Sequence, residues 1–202
     1  MSIEAVYSFR CKIAKFITHE FDVVKVLQAI YYDSDWDRDI ENRTMQGGYQ
    51  IRNAHLTEVC NDEMAKFMNE VVTGAVSQYL ASEYAIGGVS KEVELPPIAI
   101  DLVSYWINVM PPGAWHTLHS HPNANLSGVF YLQAPEGCGD LFIPSPYVNG
   151  IETIIQTIPE YLFKPNVREG YLFPASLPHS VGRNESDEDR VSISFNLKLK
   201  NL

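Results

Sequence analysis

The chain is poor in cysteine and in cations, and it has no long apolar run. Its three cysteines, Cys11, Cys60 and Cys138, are widely spaced and odd in number. That excludes a disulfide framework and a zinc knuckle, and reads as reduced thiols. Fifteen Lys and Arg stand against 25 Asp and Glu, a net charge of -10. Binding a phosphate backbone needs clustered cations, so a nucleic-acid partner is disfavoured. No stretch approaches a membrane span, so no membrane partner is expected. The opening Met1-Ser2-Ile3-Glu4-Ala5-Val6 lacks the basic start and apolar core of a secretory signal. The expected location is the cytoplasm, the host's if the gene is viral. Internal repeats and low-complexity segments are absent too. What is present, 46% hydrophobic residues over 202 positions, suffices for one sizeable core and predicts a single domain over 1–202.

Within that domain the patterning changes near residue 97. The first part, 1–97, reads as a mainly helical buttress. Thr18 can cap a helix whose apolar face is Val23, Val24, Leu27, Ile30 and Tyr31. Asp33 to Asn53 is polar, carries Gly47-Gly48 and reads as a loop. A longer helix is predicted over Asn61 to Tyr84, from the spacing of Met64, Phe67, Met68, Val71, Val72, Ala75, Val76, Tyr79 and Leu80. Gly87-Gly88 ends it. From 98 to 202, eight short apolar runs punctuated by Pro, Gly and Asn predict a sandwich or jelly roll. The runs are Ile98–Val109, Leu126–Gln133, Leu141–Ile143, Ile151–Ile158, Tyr161–Lys164, Tyr171–Phe173, His179–Arg183 and Arg190–Lys200. The helices are expected to cover one sheet's outer face.

Chemistry concentrates in the second part. Side chains two apart on a strand point the same way, so His119 and His121 can approach one metal while Ser120 faces away. His179, in the turn Leu177-Pro178-His179, is the best third ligand. His116 is three residues from His119, an offset that places it on the opposite strand face and ranks it lower. For His19 and His55 a surface or hydrogen-bonded imidazole is the simpler reading. Three nitrogens would leave positions open on an octahedral iron, and zinc would also accept them. On the last strand Arg190, Ser192, Ser194 and Asn196 share one face, and Val191, Ile193, Phe195 and Leu197 the other. A polar face of this kind either meets water or lines a cavity. In a cavity Arg190 would suit a carboxylate, since its fork donates two parallel hydrogen bonds, with the Ser192 hydroxyl beside it. Tyr131 is a core aromatic or a second hydroxyl for the same cavity, and Asn108 is a weaker candidate.

Five segments together carry a family resemblance. They are Trp106-Ile107-Asn108, His119-Ser120-His121-Pro122, Ser127-Gly128-Val129-Phe130-Tyr131-Leu132, Phe173-Pro174-Ala175-Ser176-Leu177-Pro178-His179 and Arg190-Val191-Ser192-Ile193-Ser194-Phe195-Asn196. In these, over roughly Asp101 to Leu199, the chain resembles the iron(II)- and 2-oxoglutarate-dependent oxygenases, most nearly a family from marine bacteria and phages. It departs from the superfamily's His-x-Asp or His-x-Glu first motif, because His121 takes the acidic place. The resemblance implies a double-stranded β-helix, or jelly roll, with N-terminal helices packed on the larger sheet. It implies Fe(II) as cofactor, held by His119, His121 and His179. It implies 2-oxoglutarate as co-substrate, its distal carboxylate on Arg190 with Ser192, Tyr131 and Asn108 nearby. Dioxygen and an unnamed substrate would be the other partners, with keto-acid decarboxylation coupled to hydroxylation.

Two other readings compete. Gly113 and His119-x-His121 fit the start of a cupin motif, as in a cupin-type metal-dependent dioxygenase or isomerase. The glutamate expected next is missing from Pro122-Asn123-Ala124-Asn125-Leu126. A non-catalytic, metal-stabilised jelly-roll binding module would use the same fold. An exposed sheet edge could also pair two copies into a homodimer.

Overall fold

A computed structural model describes residues 12–19, 21–32, 44–52, 62–81, 85–86, 89–90, 98–144 and 160–201. Its elements in chain order begin with β1 (Ala14–Ile17), α1 (Val23–Tyr32), β2 (Met45–Gln46) and β3 (Tyr49–Arg52). A second helix, α2, covers 62–81 and contains a π-helical stretch, Phe67–Val72. Then come β4 (Ala85–Ile86), β5 (Val89–Ser90), β6 (Ile98–Met110), β7 (Trp115–His119) and β8 (Leu126–Gln133). The chain closes with β9 (Leu141–Pro144), β10 (Glu160–Phe163), β11 (Glu169–Pro174), β12 (His179–Val181) and β13 (Arg190–Asn201).

Two antiparallel sheets face each other. The larger runs β1-β11-β8-β13-β6-β3 and the smaller β10-β9-β12-β7-β2, with β4 and β5 forming a separate hairpin. This is the predicted jelly roll with helices on its larger sheet. The alternation of β13 sets the layers. Val191, Ile193, Phe195 and Leu197 are buried in one cluster with Phe21, Val26, Ile30, Met64, Phe67, Val72 and Val76 of the helical layer. Their neighbours Arg190, Ser192, Ser194 and Asn196 line a cavity between the sheets. β8 is buried on both faces, so it reads as a nearly unbroken apolar run. Phe130 points to the helices, and Val129 and Tyr131 point into the inter-sheet core with Leu141, Ile143, Tyr171 and Phe173. Phe67 joins the layers, its ring centroid 5.1 Å from Phe21, 5.1 Å from Phe130 and 6.1 Å from Phe195. Gly128 lies opposite Phe195, and a Cβ there would sit 2.2 Å from that ring, so only glycine lets the aromatic lie flat.

The front half contains more strand than the sequence suggests. β1 and β3 are the two edges of the larger sheet, and β2 is an edge of the smaller. Their brevity hides them from a periodicity count, because four residues alternate too few times to outweigh the helical signal around them. Asp33–Asn53 is therefore not one loop. Its far end turns at Gly47 (φ 76°) between β2 and β3, while 33–43 lies outside the described residues. Thr18 is not a helix cap, because its N–H continues the strand by donating to the Arg168 carbonyl at 3.1 Å. Asp22 caps α1 instead, its Oδ1 accepting from the Lys25 N–H at 3.1 Å. The predicted helix end at Gly87-Gly88 and the strand at Ile151–Ile158 lie outside the described residues, as do Cys11, Cys60 and His55. Cys138 is a buried free thiol. Among the described residues no helix is long and apolar enough to cross a membrane.

Phe67→Ala should cost about 3–5 kcal/mol, the range for emptying a large buried aromatic site. Urea unfolding should show this as a lowered midpoint with an unchanged slope; a loss under 1 kcal/mol would mean that the helical layer does not brace the sheet.

Candidate functional site

β7 and β12 are paired, and their register places His119 directly opposite His179. Their ring centroids are 4.4 Å apart, with His121 5.1 Å from His119 and 5.2 Å from His179. One ligand nitrogen from each of the three lies within 4.8 Å of the others. β7 ends at His119, so His121 is not on the strand as the two-residue rule assumed. Its backbone is held by loop bonds instead. The His121 N–H donates to the Ala175 carbonyl at 2.7 Å, and the His121 carbonyl accepts from Ala124 at 3.2 Å. Ser120 lines the cavity and does not face away.

The ring tautomers follow from the partners. His119 Nδ1 is 2.8 Å from the Thr117 carbonyl and His179 Nδ1 is 2.9 Å from the Leu177 carbonyl. A carbonyl only accepts, so Nδ1 carries the proton in both rings and Nε2 keeps its lone pair. Burial favours these neutral forms. It drives the pKa of His179 down to about 3, with His119 adding to the effect, and that of His121 to about 4. The pKa of His119 is lowered by burial too, against the opposing Thr117 bond. Three neutral nitrogen donors within this span suit a divalent cation.

His116 corrects the parity argument. Opposite the two steps from His179 to Val181 on β12, β7 takes three steps, from His119 to His116. The bulge brings His116 to the same side as His119, with ring centroids 5.8 Å apart. It remains outside the three-nitrogen cluster. His19 is exposed, in the bend after β1, and is not in the histidine cluster.

The cavity holds about 620 Å³. At one end Arg190 is 2% exposed. Its guanidinium lies 4.9 Å from the Tyr131 ring centroid, and Nη1 is 3.4 Å from Met110 Sδ and 3.5 Å from Ser192 Oγ. Arg190 Nε and the Tyr131 hydroxyl are buried without a hydrogen-bond partner. Burial raises the Tyr131 pKa to about 12 despite the nearby guanidinium, which keeps the phenol protonated and able to donate. A cation and a hydroxyl left open in this way suit an organic carboxylate.

Of the cavity floor the sequence reading named Asn108, Ser194 and Asn196 but missed Gln50 and Ser104. Asn108 Oδ1 accepts from Gln50 Nε2 at 2.8 Å and Trp106 Nε1 at 3.0 Å, and its Nδ2 donates to Ser194 at 2.9 Å. Parallel to this ladder, Ser127 donates to Asn196 Oδ1 at 2.6 Å, and Asn196 Nδ2 donates to Ser104 at 3.3 Å. Alternating small polar residues on β6, β8 and β13 are the signal in the sequence, but only the register shows that they meet.

Residues 104–196, just under half of the chain, match a family model described as "Putative 2OG-Fe(II) oxygenase". No curated protein sequence matches the chain. Among solved structures it is similar to a prolyl-4-hydroxylase from Pseudomonas putida, at 14% identity and TM-score 0.57, covering 93% of this chain and 92% of that one. It is also similar to a prolyl hydroxylase from Trichoplax adhaerens solved with a hypoxia-inducible-factor peptide fragment, at 14% identity and TM-score 0.61, covering 92% and 83%. A third is HygX from Streptomyces hygroscopicus, solved with nickel and 2-oxoglutarate, at 9% identity and TM-score 0.59, covering 93% and 83%. These likenesses show the jelly-roll fold, and the family model favours the oxygenase reading over the cupin and the non-catalytic module.

Two measurements test the site's electrostatics and its floor. As pH falls, the unfolded chain takes up protons on imidazoles that the folded state keeps neutral. Metal-free stability should therefore be full above about pH 6.5 and drop by up to ~1.4 kcal/mol per pH unit for each imidazole below it. Urea midpoints from pH 7 to pH 5, above the carboxylate range, should decline, and a flat profile would contradict the buried neutral state. Asn108→Ala strands the Gln50 and Trp106 donors, and should lose about 1–3 kcal/mol in the same assay.

Proposed function

We propose that the oxygenase holds divalent iron on His119, His121 and His179 and clasps 2-oxoglutarate through Arg190. The observation that carries this is the pairing of a three-imidazole cluster with a buried guanidinium at the walls of one cavity. Arg190 would take the distal carboxylate, with the Ser192 and Tyr131 hydroxyls donating beside it. Asn108 has one amide hydrogen left after its three ladder bonds, and would face the co-substrate from the floor. When bound, iron and keto acid supply an oxidation in which dioxygen is consumed, 2-oxoglutarate is decarboxylated to succinate and the substrate is oxidised. The protein's own residues orient the reactants, keep three imidazoles unprotonated, and exclude water from the guanidinium.

The same reading carries finer expectations. The His119-Ser120-His121 motif supports a kinship with the marine-bacterial and phage oxygenases the chain resembles. It would act in the cytoplasm, the host's if viral, without nucleic acid, and an exposed sheet edge would pair two copies.

The test combines metal analysis with succinate release. Wild-type protein loaded anaerobically should bind one iron per chain and release succinate with 2-oxoglutarate and air. His179→Ala should lose both, and unchanged metal stoichiometry would remove His179 from the ligand set. Arg190→Ala should keep its iron and lose about 1.5–3 kcal/mol of keto-acid affinity, the worth of hydrogen bonds to a charged group. Loss of iron in that variant would mean Arg190 has another role. His121→Asp, which restores the common acidic ligand, should change metal affinity; no change would take His121 out of the set.

A further inference from the structure

Among the described residues three buried polar atoms have no hydrogen-bond partner: Arg190 Nε, the Tyr131 hydroxyl and His116 Nδ1. The first two belong to the carboxylate site already described. His116 has no part in it and is not in the three-nitrogen cluster. It is only 6% exposed, yet it lines the same cavity as Arg190 and Ser192. The β7 bulge turns it inward, its ring centroid 5.8 Å from that of His119. His119 and His179 each anchor Nδ1 on a backbone carbonyl two residues away. His116 Nδ1 has no such anchor.

We propose that His116 is a positioning residue for the co-substrate, donating its Nδ1–H to the distal carboxylate held by Arg190. This rests on the oxygenase reading above. A neutral imidazole carries one N–H and one lone pair. A second cation beside Arg190 would be repelled, whereas a neutral donor adds a hydrogen bond without charge. A carboxylate has lone pairs for both the guanidinium fork and this N–H. The bound acid would satisfy a group that the protein leaves unpaired in a low-dielectric site, where an open donor is most costly.

The experiment is calorimetric titration of 2-oxoglutarate into the anaerobic, iron-loaded full chain, with metal content and melting temperature measured alongside. Two variants are used, His116→Leu and His116→Gln. His116→Leu should keep one iron per chain and bind 2-oxoglutarate about tenfold more weakly, the loss of one charge-assisted hydrogen bond. His116→Gln, which keeps a donor, should recover most of that loss. Pyruvate, which lacks the distal carboxylate, should bind wild type and His116→Leu alike. Equal affinity for 2-oxoglutarate in wild type and both variants would make His116 packing alone and overturn the proposal. Loss of iron would make it a metal ligand and overturn it equally. A matching loss for pyruvate would move the contact away from the distal carboxylate. If His116→Leu does not fold, affinity of His116→Gln at the wild-type value supports a donor, and a loss of tenfold or more opposes it. Failure of wild type to bind 2-oxoglutarate would instead refute the oxygenase reading itself.

Discussion

A guanidinium sealed between two sheets is the constraint on which the rest of this structure depends. Arg190 is the largest of the fully buried side chains, and among the described residues no carboxylate pairs with it. Removing such a charge from water costs several kcal/mol. The protein returns only part of this, through the Tyr131 ring face, the Ser192 hydroxyl and the Met110 sulfur. The remainder must come from packing elsewhere. β13 supplies it directly, because the strand that carries Arg190 on one face carries Val191, Ile193, Phe195 and Leu197 on the other. Each of these removes apolar surface from water against α1 and α2, at roughly 1.5–3 kcal/mol per side chain. The helical layer and the charged site are thus two faces of one strand.

The imidazole cluster solves the opposite problem. A metal site needs its ligands unprotonated, and burial does this for histidine without a counter-charge. The backbone carbonyls of Thr117 and Leu177 then fix which nitrogen is free. With His121 in place of an acid, the ligand set carries no negative charge. A divalent cation and the buried Arg190 guanidinium outweigh a dianionic keto acid by one positive charge, and Arg52, which also lines the cavity, adds to that excess. Among the described residues no acidic side chain lines that cavity to offset it, although the whole chain is at -10.

Legibility in the sequence followed the length of each pattern. β13 alternates over enough residues that its two faces, and hence the cavity wall and the core, could be read directly. The long helix at 62–81 was legible for the same reason. His119 and His179 were found from residue type and turn position, and their pairing is a register fact that no local pattern encodes. Short elements failed. β1 and β3 alternate too briefly, and Thr18 resembles a cap because Ser and Thr are found in strands and caps alike. The bulge in β7 defeated the two-residue rule outright, since one extra residue reverses every facing assignment beyond it. That is why His116 was assigned to the wrong side.

The polar residues of the cavity fall into two kinds, and the division carries functional meaning. Gln50, Asn108, Trp106 and Ser194 satisfy one another across β3, β6 and β13, as do Ser104, Asn196 and Ser127 across β6, β13 and β8. Such cross-strand ladders hold a polar surface rigid at little cost, because each buried donor already has its acceptor. Arg190 Nε, the Tyr131 hydroxyl and His116 Nδ1 are left open instead. If the whole surface were built only for stability, these three would be the easiest to replace by apolar groups, since truncating an unpaired polar atom removes a penalty and no bond. Standing open beside a floor whose groups bond one another, they are the groups reserved for a guest, and a guest that answers a guanidinium, a phenol and a neutral imidazole together is an acid with several lone pairs to offer.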